Sequence, residues 1–494
     1  MKCMKVSLKA LTIIALVSGA ANAETYSGKT YLSPRPVNFD LPMELSTWHN
    51  ALFKKHVPPD KLKVCGRIAV TPFYQATTNK TDIGKYFGVE GYNTFKVVTE
   101  DDFDGTTVPV TNTFLIHDAA NAGIEPLAGT VTFEPKQELF GARIDYFQDI
   151  FKGFFFKAAL PIVHVKNDMG MKITDSHASN EIDGSTFTLE QFFKGEVSVT
   201  TAGSDDLQSS LTKGKIDGAR SATGVADIDL GLGYKLFCND KSHLFVTLAG
   251  TIPTGKKPTG EWLFEPIYGN GQHFGLGGTL DGGVELWASK KASISLLIDV
   301  NYRYLFDATE DRILGLKESG NDANAIANFN HYYMVGTFSA DANKPLQPAA
   351  NVLTQGLKVK PGSLFDAMAA LSFRTSGFVF DLGYDLFYKE KETVELKDWT
   401  DDVYGIAIRD FDTTEVFADD DGCRERNLNK EYFNLDVVTN PSQVSHKIFG
   451  SLGYLCNVSK KYPTMLGLGG SYEFKSENSI PDKYEVWVKA GIAF

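Results

Sequence analysis

The stretch KYEVWVKAGIAF, residues 483–494, decides the fold. Successive side chains of a strand point to opposite faces, so its residues sort into two walls. Tyr484, Val486, Val488, Ala490, Ile492 and Phe494 make one wall, and Lys483, Glu485, Trp487, Lys489, Gly491 and Ala493 make the other. The first wall is apolar; the second carries charge and small residues. A soluble sandwich would press the apolar wall against a second sheet. A barrel in a membrane turns that wall to lipid and the charged one to a wet interior.

Eleven more segments alternate in the same way back along the chain. Arg67 stands opposite Ile68 and Val70, and Arg143 and Asp145 opposite Phe140, Ala142, Ile144 and Tyr146. Lys157 opposes Phe154, Phe156, Ala158 and Leu160, while Asp227, Asp229 and Lys235 oppose Ile228, Leu230, Leu232 and Tyr234. After a run through Leu244, Val246 and Leu248, Asp281 and Glu285 oppose Leu280, Val284 and Leu286. Asp299 and Arg303 oppose Ile298, Val300, Tyr302 and Tyr304. Asp366 and Arg374 oppose Phe365, Ala367 and Phe373; Asp381 and Asp385 oppose Phe380, Leu382, Tyr384 and Leu386. Lys447 faces away from Ile448, Leu452 and Tyr454, and the eleventh segment sets Leu466, Leu468, Tyr472 and Phe474 against Ser471 and Glu473.

Connection lengths follow strand parity. Short turns fall at 149–153, 239–242, 288–291, 375–377 and 457–461, whereas residues 76–137, 165–223, 253–273, 306–362 and 390–445 form long loops. Short turns on one rim and long loops on the other belong to an up-and-down transmembrane barrel. Aromatic residues layer accordingly. Tyr74, Phe140, Phe274, Tyr302, Tyr304, Tyr388, Tyr472 and Tyr484 fall toward the long-loop rim. Tyr146, Phe154, Phe156, Tyr234, Phe378, Tyr454 and Phe494 fall toward the other, giving two interfacial girdles. The expected fold is an all-β antiparallel up-and-down barrel of about twelve strands over residues 62–494.

The first 23 residues carry an export signal: Lys2, Lys5 and Lys9, an apolar run from Leu11 to Val17, and Ala21-Asn22-Ala23 as the cleavage site. Its loss moves the net charge from −12 to −15, which argues against a nucleic-acid partner. Cys65, Cys238, Cys423 and Cys456 then remain, without the close spacing of a metal or redox motif. Residues 24–61 read as a periplasmic segment with a short helix capped by Asp40 and striped by Leu45, Trp48 and Leu52, with Lys54 and Lys55 at its end. Packing on the periplasmic rim is the first expectation, insertion into the lumen the second.

The terminal strand with Tyr484, Ile492 and Phe494 resembles the assembly signal of Gram-negative outer-membrane barrels. That resemblance implies the cell outer membrane, its lipids and the barrel-assembly machinery as partners. Between Gly224 and Gly283, GVADIDLGLGYKL, HLFVTLAGTIPTGKKPTG and GNGQHFGLGGTLDGG look like the outer-membrane proteins of the phenol meta-degradation pathway. The likeness implies a channel for small, often aromatic, solutes. Gly231, Gly233, Gly277 and Gly283 are expected to leave room inside or let strands bend.

The inward charges, of both signs, support two functions. One is a conduit for small solutes whose charges select what passes; the other is a non-conducting surface protein whose loops bind a partner or build an outer layer. Asp102-x-Asp104 and Asp175-x-His177 faintly resemble the pairs of omptin proteases, but such short motifs arise by chance, and no catalytic set is expected. The acidic loop 390–445 lacks the spacing of a calcium loop, so neither cofactor nor metal is expected. Oligomeric state stays open.

Overall fold

The computed structural model describes residues 28–47, 66–89, 91–98, 107–109, 127–178, 185–200, 206–239, 241–317, 329–337, 345–406, 428–459, 462–477 and 481–494. The export signal, Trp48, Leu52, Lys54, Lys55, Cys65, Asp102, Asp104, Cys423 and the acidic run 407–427 lie outside them, as do the side chains of His177 and Cys456.

Twelve strands close the barrel. They are β1 (Gly66–Thr77), β2 (Lys136–Phe151), β3 (Phe154–Asp168), β4 in two pieces (Ala219–Val225 and Ile228–Cys238), β5 (Ser242–Ile252) and β6 (Gly275–Ala288). There follow β7 (Ala292–Leu305), β8 (Gly362–Thr375), β9 (Phe378–Lys389), β10 (Gln443–Ser459), β11 (Tyr462–Glu477) and β12 (Lys483–Ala493). Each pairs antiparallel with its neighbours in sequence, and β12 returns to β1 with Val70 beside Ala490 and Tyr74 beside Val486. Gly66 and Phe494 exchange two backbone hydrogen bonds of 2.9 Å at the seam. The barrel sheet has no open edge, as hydrocarbon requires.

Burial runs opposite to that of a soluble protein. On β12, Val486 and Val488 are 50% and 56% exposed, whereas Glu485 and Lys489 are 2% and 1% exposed. On β9, Leu382 is 66% exposed and Asp385 fully buried. An apolar exterior around a charged interior needs lipid to cover it. The chain is a transmembrane β-barrel. No helix among the described residues is long and apolar enough to span a membrane; the strands cross instead. Rings pair within each aromatic girdle: Tyr74 with Tyr484 at 6.0 Å toward the long loops, Phe154 with Tyr234 and Phe378 with Tyr454 at 4.8 Å near the short turns.

Among the described residues four short α-helices lie off the wall: α1 (Leu41–Leu45), α2 (Lys80–Phe87), α3 (Leu189–Lys194) and α4 (Ala349–Leu353). α3 starts with a capping box in which Thr188 and Gln191 satisfy each other's backbone N–H groups. The long loops fold on one another over the lumen. Phe87, Phe95, Phe133, Phe192, Phe193, Phe329 and Tyr332 share one buried cluster, and Leu314, Val335, Leu353, Leu357, Phe433 and Val438 another. These loops form a cap with its own apolar cores.

Residues 28–47 depart from the first expectation for the amino-terminal segment. They run inside the barrel, where Val37, Leu41, Met43 and Leu45 pack on Phe73, Leu297, Met368, Phe449 and Trp487 of the inner wall. Asp40 does cap a helix, accepting from the Met43 N–H at 3.1 Å, but that helix is the single turn α1. The lumen wall supplies apolar and ionic partners that a rim would not, and an extended strap reaches more of them than a long helix.

Candidate functional site: the strapped lumen

The strap descends along its length, with a level stretch between Arg35 and Asp40. At its first residues, Gly28, Lys29 and Thr30 donate backbone N–H bonds to Gly88, Tyr86 and Val437 of the long loops, at 2.8, 3.0 and 3.0 Å. Tyr31 lies under the Arg312 guanidinium, 3.8 Å from its ring centroid, and Ser33 N–H donates to Asn440 at 2.8 Å. The Pro34 and Pro36 neighbours hold the backbone extended around Arg35.

Arg35 is the strap's main anchor. Its guanidinium meets Asp366 at 2.9 Å, Asp385 at 2.8 Å and Glu473 at 3.6 Å, with no more than 1% of any of these side chains exposed. It also stacks on Phe387 at 4.8 Å. On the same rung, Asp40 pairs with Lys447 at 2.5 Å, and Lys447 also reaches Glu485 at 3.4 Å. Glu44 crosses to Arg143 at 2.6 Å, and Lys489 donates to the carbonyls of Glu44 and Ser46 at 2.7 and 3.0 Å. Thr47 N–H donates to Asp381 at 2.5 Å. Thr47 turns through the left-handed region, and Gly453 and Gly467 admit it: a Cβ there would stand 2.9 and 2.8 Å from its side chain.

Most of these contacts lie on β8–β12. Against β1–β7 the strap leaves a cleft enclosing about 960 Å³, solvent included. Glu44 and Asn38 of the strap line it with Arg67, Arg143, Asp145, Lys157, Asp229, Asp281, Asn301 and Arg303 of the wall. Its short-turn end is aromatic: Phe147 stacks on Phe155 at 4.8 Å, Phe155 meets Phe245 at 5.8 Å, and Arg67 lies 4.4 Å over Phe147. The charges largely pair across the cleft. Arg143 binds Asp145 at 2.8 Å, Lys157 donates to Thr279 at 2.9 Å and approaches Asp281 at 3.9 Å, and Arg303 approaches Asp229 at 3.7 Å. Arg303 Nε and Nη1 are buried without a hydrogen-bond partner.

The expected lumen residues divide by wall. Arg67, Arg143, Asp145, Lys157, Asp229, Asp281 and Arg303 line the cleft; Asp366, Asp381, Asp385, Lys447 and Lys489 hold the strap. Glu485 supports that second set through Lys447 and Gln75. Asp227 is buried at the break in β4, accepting from Gly255 N–H at 3.2 Å, and Asp299 is buried opposite Asp281 without itself lining the cleft. Lys235 pairs with Asp149 at 2.6 Å near the short turns, where Glu285 and Arg374 also lie, half-buried. Tyr484, Ile492 and Phe494 are exposed on the outer wall. Gly233 makes the expected room: a Cβ there would stand 2.1 Å from the Phe155 ring.

Arg35, Asn38 and Glu44 were not foreseen as site residues. Their only sequence signal is charge or polarity in a stretch without periodicity.

Above the lumen a buried polar cluster ties the cap together. Arg312 binds Glu310 at 2.6 Å and Glu392 at 2.7 Å, and His273 lies between Glu310 at 3.0 Å and the Phe306 carbonyl at 2.7 Å. Burial works against the Glu392 anion, yet Arg312 and Lys389 outweigh it and hold the carboxyl below its usual range.

No protein-family model matches the chain, and none of the curated proteins matches it. Solved barrels resemble it remotely. An outer-membrane channel from Pseudomonas putida F1 is 10% identical, covering 89% of this chain and 100% of its own, with a TM-score of 0.38. A Pseudomonas aeruginosa FadL homologue is 7% identical over 87% of this chain and 90% of its own, at 0.29. An anion-selective porin from Comamonas acidovorans is 10% identical over 87% and 99%, at 0.22. Likenesses this distant assign no activity.

Proposed function

We propose that this protein is an outer-membrane channel for the passive movement of small solutes, narrowed by its own amino-terminal strap. The observation that carries the reading is the charged cleft between the strap and β1–β7. Both signs of charge line it, so solutes are sorted by local fields at a constriction beside Glu44, Arg143 and Asp145. The phenylalanines at its short-turn end, together with the likeness of residues 224–283 to the phenol-pathway proteins, favour solutes with an apolar or aromatic body. Tyr484, Ile492 and Phe494 serve as the signal to the assembly machinery in this reading.

Planar-bilayer recording tests it. Steady ohmic steps of small conductance are expected from the full mature chain. Asp229→Asn should shift the reversal potential toward anions; an unchanged reversal potential would remove Asp229 from the pathway. Folded but silent protein would overturn the channel. The reading then favoured is a surface protein that acts through its loops, since the cap places buried apolar clusters over the lumen.

A further inference from the structure

We propose that the amino end of this chain faces the outside of the cell, so that the polypeptide is threaded through its own barrel from the outer surface toward the periplasm. In outer-membrane barrels the long loops are extracellular and the short turns periplasmic. Gly28, Lys29 and Thr30 bond to the long loops; Ser33 meets Asn440 just above β10; Arg35 meets the upper halves of β8, β9 and β11. Glu44 and Ser46 reach the middle of the wall, and Thr47 lies against Gly453 and Gly467 in the lower half of β10 and β11. From Gly28 to Thr47 the contacts descend with one level stretch: Arg35 and Asp40 both reach the rung Asp385–Lys447–Glu473, and Phe39 between them packs on Leu305 and Leu364. The described strap therefore enters at the outer face and leads down to β1, which starts at the short-turn rim.

Chain length closes the other route. Cleavage after Ala23 leaves only Glu24–Ser27 ahead of Gly28. Four residues reach at most about 14 Å, well short of the roughly 30 Å of hydrocarbon that separates the outer loops from the periplasm. An amino end tied at Gly28 cannot return to the compartment in which the signal is cut. The strap must then be laid in place before β12 pairs with β1, with the wall closing around it.

The test is access to a short charged epitope inserted between Thr25 and Tyr26 of the full-length protein. A matching epitope in the 407–427 loop fixes the orientation of the barrel. Retention of compact migration on unheated gels shows that each variant folds. Antibody binding to intact cells at both positions is the expected result. If the amino-terminal epitope needs a permeabilised outer membrane while the loop epitope does not, threading is overturned. If both need it, the orientation fails and threading with it, although the channel reading survives. Should the insertion block folding, Thr25→Cys labelled by a membrane-impermeant maleimide, with the parent protein as background, gives the same decision.

Discussion

At Arg35 a single guanidinium compensates the buried carboxylates of Asp366 and Asp385, and it shares Glu473 with Lys447 and Lys483. Removing one partner of such a cluster costs about 3–5 kcal/mol, because the remaining charges stay buried without a counter-ion. Arg35→Met should therefore loosen the strap, seen as protease cleavage between Gly28 and Thr47 in folded protein. Adding Asp366→Asn and Asp385→Asn should restore much of the protection. Equal cleavage in the single and triple variants would show that apolar packing alone holds the strap. In the cap, burial pushes the His331 imidazole down to about 3, against 6.5 for the free side chain. The opened cap binds a proton below about 6.5 that the closed cap refuses. Its stability is fully present above that pH and falls toward pH 3, by about 1.4 kcal/mol for each pH unit. Loop protection from hydrogen exchange should fall in that window, and His331→Phe, which fits among Phe329 and Tyr332, should flatten the slope.

Elements differ in how openly the sequence declares them. Period-two alternation marks every barrel strand, because lipid and lumen impose opposite chemistry on neighbouring residues. On β12 that contrast predicts a sharp asymmetry. Val488→Arg places a cation in hydrocarbon and should cost about 2–4 kcal/mol of folding into lipid vesicles, read from urea titrations. Lys489→Met, one residue on, should leave that titration nearly unchanged and instead free the strap by removing its bonds to the Glu44 and Ser46 carbonyls. Similar losses for both variants would mean that the two faces do not differ as described. The strap carried no such mark. Arg35 between two prolines has no periodic neighbours, and its carboxylates stand on strands more than 300 residues away. Even the helix cap at Asp40, correctly legible from local rules, could not reveal that its second oxygen would face Lys447 across the lumen. The cap clusters were hidden for a related reason: Phe192, Phe329 and Phe95 come from three different loops, whose apolar residues look scattered until the barrel brings the loops together.

Over the whole molecule, two structures obstruct the lumen, and they are separable. The strap fills the half against β8–β12, while the loops close over the long-loop end. If the strap sets the conductance, deleting residues 28–47 should raise the single-channel current several-fold, with the cleft widened toward Lys447 and Lys489. The deletion also strips the counter-ion from Asp366 and Asp385, so those carboxylates must take up water or protons. That hydration favours an open lumen over collapse of the wall, since the backbone ladder from β1 to β12 owes nothing to the strap. Compact migration on unheated gels would show that the barrel survives. A folded deletion variant with unchanged current would place the barrier in the cap, and shortening the loop between β9 and β10 would then be the change that opens it.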